Sequence, residues 1–342
     1  MRRFIIKAMM IAAVMMPLAA CENEIETIWS SDNMPRLVLN AQIMQDETEH
    51  TVRVFCSKFS RSEPMAAEVT VTLNSKAVKV THVVIEEEEG MEGLGGEESG
   101  RYTFQAQLSP GDRLEFKAHA MGLTATAVAE VPVAVGEITK VEVSEVTVEN
   151  MFDSEKEHRV QDAITFKDHK GELDYYMLIM EDVYKHLDAG GNVVDEYVHK
   201  VNMDTALDKV LNPMGAEAAE LLGYDNDFNV FTDEMFADGE YTFKILASKW
   251  DYFGGNWLEF WEAFEEGDTY AIDRRYKIYT LGFDEFLYLK AISAAYNDIG
   301  FMTEPMIYPE NVTGGLGFVA AISPIDWVTP GTPIPFTGEI PM

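Results

Sequence analysis

Arg36-Leu37-Val38-Leu39-Asn40-Ala41-Gln42-Ile43, directly after Pro35, is the stretch that decides the fold. Apolar and polar residues interleave here with strand texture. The texture recurs at Thr51 to Lys58, Glu68-Val69-Thr70-Val71-Thr72-Leu73, Ala77 to Ile85, Arg101 to Leu108, Asp112 to Ala120 and Leu123 to Val131. Asn74-Ser75 and Ser109-Pro110-Gly111 mark turns between them. Seven short strands at this spacing predict an immunoglobulin-like β-sandwich over residues 35–133, closed at Pro132. The Cys…Trp…Cys core of antibody domains is missing, so the likeness is one of architecture.

Beyond Val135 the β texture continues. Ile138 to Val148 alternates, and further strands are expected at Val160 to Phe166, Tyr175 to Tyr184, Val193 to Val201, Tyr241 to Ala247 and Tyr270 to Leu281. Asp188-Ala189-Gly190-Gly191-Asn192 predicts a hairpin turn. Helices are expected at Met214 to Leu222, at Leu258 to Glu266 with Asn256 as N-cap, and at Phe283 to Asn297. In the last, Phe286, Leu289, Ile292 and Tyr296 fall along one face. The fold class expected is mainly β. An N-terminal sandwich is followed by a larger β-rich domain with inserted helices over residues 134–342.

The N-terminus gives an address. Arg2, Arg3 and Lys7 precede an apolar run from Ala8 to Leu18, the pattern of a secretory signal peptide over residues 1–20. The run is too short for a spanning helix. Leu18-Ala19-Ala20-Cys21 resembles a bacterial lipobox, which implies acylation of Cys21 and a membrane anchor through an N-terminal lipid. Residues 21–34 read as a polar tether. Glu22, Asn23, Glu24 and Glu26 resemble the surface-export signal of Bacteroidetes lipoproteins. The expected location is the outer membrane facing the cell exterior, with its periplasmic face as the alternative.

Charge narrows the partners. The chain carries 59 acidic against 26 basic residues, a formal net charge of −33. Removing residues 1–20 takes away three basic residues and no acid. Such a surface repels phosphates, so nucleic acid is excluded as a partner. It also opposes spreading on anionic lipid, which leaves anchoring to the acyl groups. Once Cys21 is acylated, Cys56 stands alone and no intrachain disulfide is expected. Cys56 shares strand parity with Val52 and Val54, which predicts a buried small side chain.

Several stretches invite a functional reading. Glu86 to Glu98 packs seven glutamates into a glycine-bearing loop that could gather Ca²⁺, but four adjacent glutamates point in different directions, so a solvated loop guarding a sheet edge is the better reading. Asp225 to Asp233 begins like an EF-hand loop, but Val230 and Phe236 replace its glycine and its bidentate glutamate, so an Asx-rich turn is the better reading. Asn311 to Gly317 lacks phosphate-loop spacing, so its glycines predict positive φ or a close backbone crossing. Trp250, Tyr252, Trp257 and Trp261 lie in the densest aromatic stretch and are the candidates for ligand or partner contact, where their faces could stack on sugar rings. The three- and four-residue spacing of Trp257, Phe260, Trp261 and Phe264 favours a buried helix face instead. The seven histidines have no metal-ligand spacing, and no catalytic residue, metal or cofactor is assigned.

The order of these segments resembles a family of Bacteroidetes outer-membrane lipoproteins with a domain of unknown function, often encoded beside TonB-dependent receptors. The likeness runs through Leu37-Val38-Leu39-Asn40-Ala41, Tyr102, Thr165-Phe166-Lys167-Asp168 with Tyr175-Tyr176, and Phe231-Thr232-Asp233-Glu234-Met235-Phe236 with Gly239 and Tyr241. It is most specific at Phe283-Asp284-Glu285-Phe286, Tyr288-Leu289, Glu304-Pro305 and Asn311-Val312-Thr313-Gly314-Gly315-Leu316-Gly317-Phe318, where Val312 stands for the family's isoleucine. The resemblance implies a non-enzymatic binding or accessory protein of a TonB-dependent nutrient uptake system, with a TonB-dependent receptor as partner and a glycan or peptide as ligand. The alternatives are a structural or adhesive, fimbria-like surface lipoprotein and a polysaccharide hydrolase.

Overall fold

The computed structural model describes residues 35–58, 61–83, 100–149, 156–169, 171–205, 207–213, 226–247, 257–264, 267–296 and 308–330. Cys21 and its flanks, the Glu86 to Glu98 stretch and the helix expected at Met214 to Leu222 lie outside the described residues. The protein is mainly β. Its strands are β1 (Arg36–Met44), β2 (Glu49–Lys58), β3 (Arg61–Pro64), β4 (Glu68–Leu73), β5 (Lys76–Val78), β6 (Val80–His82), β7 (Arg101–Gln105), β8 (Arg113–Ala120) and β9 (Leu123–Glu130). They continue as β10 (Glu137–Glu149), β11 (Lys156–Lys167), β12 (Tyr175–Leu187), β13 (Val193–Lys200), β14 (Met203–Asp204), β15 (Val230–Thr232), β16 (Glu240–Ala247), β17 (Thr269–Leu281) and β18 (Val319–Pro324). Helix α1 spans Trp257–Glu262 and α2 spans Phe283–Tyr296.

Among the described residues these strands form three sheets. The largest runs β13-β12-β17-β18-β1-β2-β7-β6, with β15 added beside β12 and β3 beside β2. The others run β10-β11-β16-β14 and β5-β4-β8-β9. Leu37, Leu39 and Ile43 of β1 share one core with Val71, Leu114 and Phe116 of the β5-β4-β8-β9 sheet. Ile164, Phe166, Phe243 and Ile245 of the β10-β11-β16-β14 sheet share another with Tyr176, Leu178, Met180 and Tyr276. The opposite face of β12, Met177 and Ile179, packs with Leu289 of α2. With both faces covered, β12 is almost continuously buried, which explains why its sequence does not alternate.

The expected hairpin forms: β12 and β13 pair antiparallel, and Asp188 Oδ1 accepts from the Gly190 and Asn192 amides at 2.9 and 2.8 Å. The expected Ala77 to Ile85 strand is instead two short strands, β5 and β6, with Lys79 between them. The helix expected from Leu258 to Glu266 is shorter, α1 ending at Glu262. Cys56 is buried in β2, as its parity implied.

The sequence pattern does not mark β18 as a strand, yet it joins the molecule. It pairs parallel with β1 and antiparallel with β17, so the largest sheet draws on both segments of the chain. The connector between those segments is held too. Ser323 Oγ donates to the Pro132 carbonyl at 2.6 Å, and the Val135 amide donates to Thr280 Oγ1 at 3.0 Å. Just before β18, the 311–318 segment runs along β1: the Leu39 amide donates to Leu316 O at 2.9 Å and the Leu316 amide to Leu37 O at 2.8 Å. A Cβ on Gly315 would lie 2.5 Å from Leu37 O, so the glycines there serve a close backbone crossing, as the sequence predicts.

Candidate functional site

Alternation along β1 builds the floor of a cleft. Leu37, Leu39, Ala41 and Ile43 are buried in the core below, so Asn40 and Gln42 occupy the opposite face. Asn40 lies opposite Arg53 of β2, which puts Arg53 and Thr51 on that face as well. Helix α2 forms the wall, because Glu285, Leu289 and Ile292 recur at its helical period and Tyr288 flanks them. The Asp227 amide donates to Ser293 Oγ at 2.8 Å, which ties the 226–229 turn to α2 and brings Phe228 to the cleft. Phe318 closes the far side, its ring stacked on Tyr288 at 4.5 Å and 13°. The open cleft has a volume of about 390 Å³.

Two groups in this cleft are unusual. Glu285 is only 3% exposed, although it is a carboxylic acid. Gln42 Nε2 donates to its Oε1 at 2.9 Å, while Oε2 has no hydrogen-bond partner among the described residues. Burial pushes this carboxyl up to about 7, against the smaller opposing effect of the Gln42 hydrogen bond. Glu285 therefore carries its proton in mildly acidic solution and loses it gradually as the pH rises through neutrality. Arg53, for its part, forms no ion pair among the described residues. An apolar wall with a few convergent polar groups is the usual composition of a small-molecule site.

Other polar clusters are committed to the fold. Arg274 of β17 forks onto Asp182 of β12 with two 2.7 Å hydrogen bonds and reaches Asp162 of β11 at 2.9 Å, all three residues being buried. Burial opposes its charge, but Asp182 and Asp162 hold it firmly protonated. Tyr176 donates to Asp168, whose carboxylate lies with those of Asp174 and Asp233 inside a 4.8 Å grouping. Burial first raises both Asp174 and Asp233; repulsion from neighbouring carboxylates adds to it at Asp174, and at Asp233 the Asp174 amide partly opposes it while the Asp168 carboxyl adds to it, so the grouping could receive a cation. His186 bonds Asp268 at 2.7 Å and stacks on Phe264 at 3.8 Å.

Of the aromatic candidates, Trp261 packs against Tyr184, Phe260, Phe264 and Tyr270. Trp257 starts α1, but its side chain lies outside the described residues, as do Trp250 and Tyr252 entirely. In the EF-hand-like stretch, Asn226 Nδ2 donates to Leu211 O and Val230 O at 3.0 and 2.9 Å, and Asp233 accepts the Asp174 amide. Its side-chain oxygens and amides thus fasten backbone, in keeping with an Asx-rich turn. Glu285 escaped sequence reasoning because an acid in a first helical turn ordinarily serves the helix dipole. The signal was its position four residues before Leu289, on the face that α2 buries.

Among the described residues no helix is long and apolar enough to cross a membrane. The family described as Domain of unknown function (DUF4249) matches residues 22–324, and the chain belongs to it. No curated protein matches the chain.

Proposed function

We propose that this member of the family is a lipid-anchored, non-enzymatic binding or accessory protein of a TonB-dependent nutrient uptake system, held on the outer membrane and facing the cell exterior. The observation that carries the reading is a shared boundary: the family match opens at residue 22, directly behind Cys21 of Leu18-Ala19-Ala20-Cys21. A mature chain beginning at an acylated Cys21 leaves the whole matched region outside the bilayer. The cleft beside Glu285 supplies a place for a ligand. We also read the N-terminal strands as an immunoglobulin-like sandwich, a reading supported by the core that β1-β2-β7-β6 shares with β5-β4-β8-β9.

The test is affinity purification of the tagged, lipidated protein from detergent-solubilised outer membranes, followed by mass spectrometry. A near-stoichiometric TonB-dependent receptor is the expected companion. Recovery of the protein alone, or as long self-assemblies, overturns the partnership and favours an adhesive or structural role.

A further inference from the structure

We infer that the cleft between the β1–β2 face and α2 binds a small amphiphilic monocarboxylate, an aliphatic or aromatic body ending in one carboxylate, with Arg53 and Glu285 as its hydrogen-bond donors. The inference rests on reading this cleft as a binding site and is independent of the receptor partnership.

Arg53 is the first observation. Cations are scarce in a chain with 26 basic and 59 acidic residues, and several arginines are committed to partners: Arg159 pairs with Asp204, Arg274 with Asp162 and Asp182, Arg275 with Glu181, whereas Arg36 and Arg101, the latter opposite Arg53 on β7, have no ion pair among the described residues. Arg53 lines the cleft without one among the described residues. A guanidinium offers a planar fork that a carboxylate fills with two hydrogen bonds. In so acidic a chain the long-range field disfavours anions, so local donors and burial must supply the affinity.

Glu285 is the second, and it is independent. The side chain is buried, lines the same cleft and keeps one oxygen unpartnered. Gln42 spends an amide hydrogen on its other oxygen. A neutral carboxyl in this position donates to an anion, while an ionised one repels it. A cationic ligand meets Arg53, and an uncharged one leaves Arg53 unanswered. Phe228, Leu289, Ile292 and Phe318 then cover the apolar body. The volume of about 390 Å³ falls within the usual range for small-molecule pockets.

Charged groups on the surrounding elements are Arg36 on β1, Glu49 and Arg53 on β2, Arg101 opposite Arg53 on β7, Asp227 on the 226–229 turn, and Asp284 and Lys290 on α2; β1 contributes the uncharged Asn40 and Gln42 to the cleft itself. Affinity for a carboxylate therefore falls as pH rises from 6 to 8 and Glu285 loses its proton.

The experiment is calorimetric titration of the full chain carrying Cys21→Ser, kept free of detergent, with octanoate, octan-1-ol and octylamine. Octanoate is expected to bind saturably at one site, at least tenfold tighter than the alcohol or the amine. Arg53→Met is expected to weaken octanoate at least tenfold and leave octan-1-ol unchanged, its thermal melt confirming that this exposed strand position still folds. Glu285→Gln keeps a neutral donor, so octanoate binding persists and loses its pH dependence. Octan-1-ol binding as tightly as octanoate, or Arg53→Met without effect on octanoate, overturns the ligand class and leaves the cleft as a site. Failure of all three probes to bind overturns both the ligand class and the reading of the cleft.

Discussion

Gly317 and Leu39 approach so closely that a Cβ on Gly317 would sit 2.4 Å from the Leu39 carbonyl oxygen. Gly317 also holds φ at +106°, a backbone conformation that side chains resist. Its neighbour Phe318 donates its amide to Asn40 Oδ1 at 3.0 Å and leads directly into β18. This crossing therefore sets both the cleft wall at Phe318 and the strand that joins β1 to β17.

Gly317→Ala should cost about 2–4 kcal/mol, from the strained φ and the backbone collision together. Urea unfolding of wild type and variant checks this. An unchanged midpoint would show that the 311–318 segment does not need its glycine.

Arg274→Met leaves Asp162 and Asp182 buried without their cation, and a loss of roughly 3–5 kcal/mol is expected. Adding Asp162→Asn and Asp182→Asn should recover part of the loss, because no buried charge then remains. Thermal melts of the single and triple variants separate a charge effect from a packing effect. If the triple variant is no better than the single one, packing accounts for the loss.

Stability should fall with rising pH through Glu285. Its folded-state pKa of about 7 lies above the ordinary value of 4.5, so between those pH values the folded chain holds a proton that the unfolded chain has released. The penalty is absent below about 4.5 and complete above about 7, on the order of 3 kcal/mol at most. Wild type and Glu285→Gln should thus diverge in melting temperature from pH 5 to pH 8, the variant being the flatter. Parallel curves would mean that Glu285 ionises without cost.

The Tyr102 hydroxyl donates to Ala67 O at 2.9 Å and accepts from the Ala67 amide at 2.6 Å. Tyr102→Phe removes both bonds at once, for an expected loss of about 1–3 kcal/mol. Hydrogen exchange at the Ala67 amide should quicken in the variant, and unchanged protection there would count against the pairing.

Local pattern carried much of this architecture. Alternation marked β1, β8 and β9, the Asp188 to Asn192 turn marked the β12–β13 hairpin, and helical spacing marked α2. These signals are readable because each depends on neighbours within a few residues. β18 was not readable in that way. Val319-Ala320-Ala321-Ile322-Ser323-Pro324 is short, follows a glycine-rich crossing, and gains its meaning from β1, whose partner residues are some 280 positions distant. The Asp168, Asp174 and Asp233 grouping was hidden for the same reason, as β12 and β15 must pair before those carboxylates meet.

What the amino-acid order determined by itself was the β class, the elements with a clear period, the burial of Cys56 and the need for glycine at 311–317, since each follows from side-chain period or backbone freedom. What only tertiary structure decided was the joining of distant strands into one ten-stranded sheet and the fate of Glu285. An acid in the first turn of a helix is ordinarily solvated. Here its carboxyl is pushed up to about 7, because α2 packs that turn against Gln42 and takes away the water that favours the charged form.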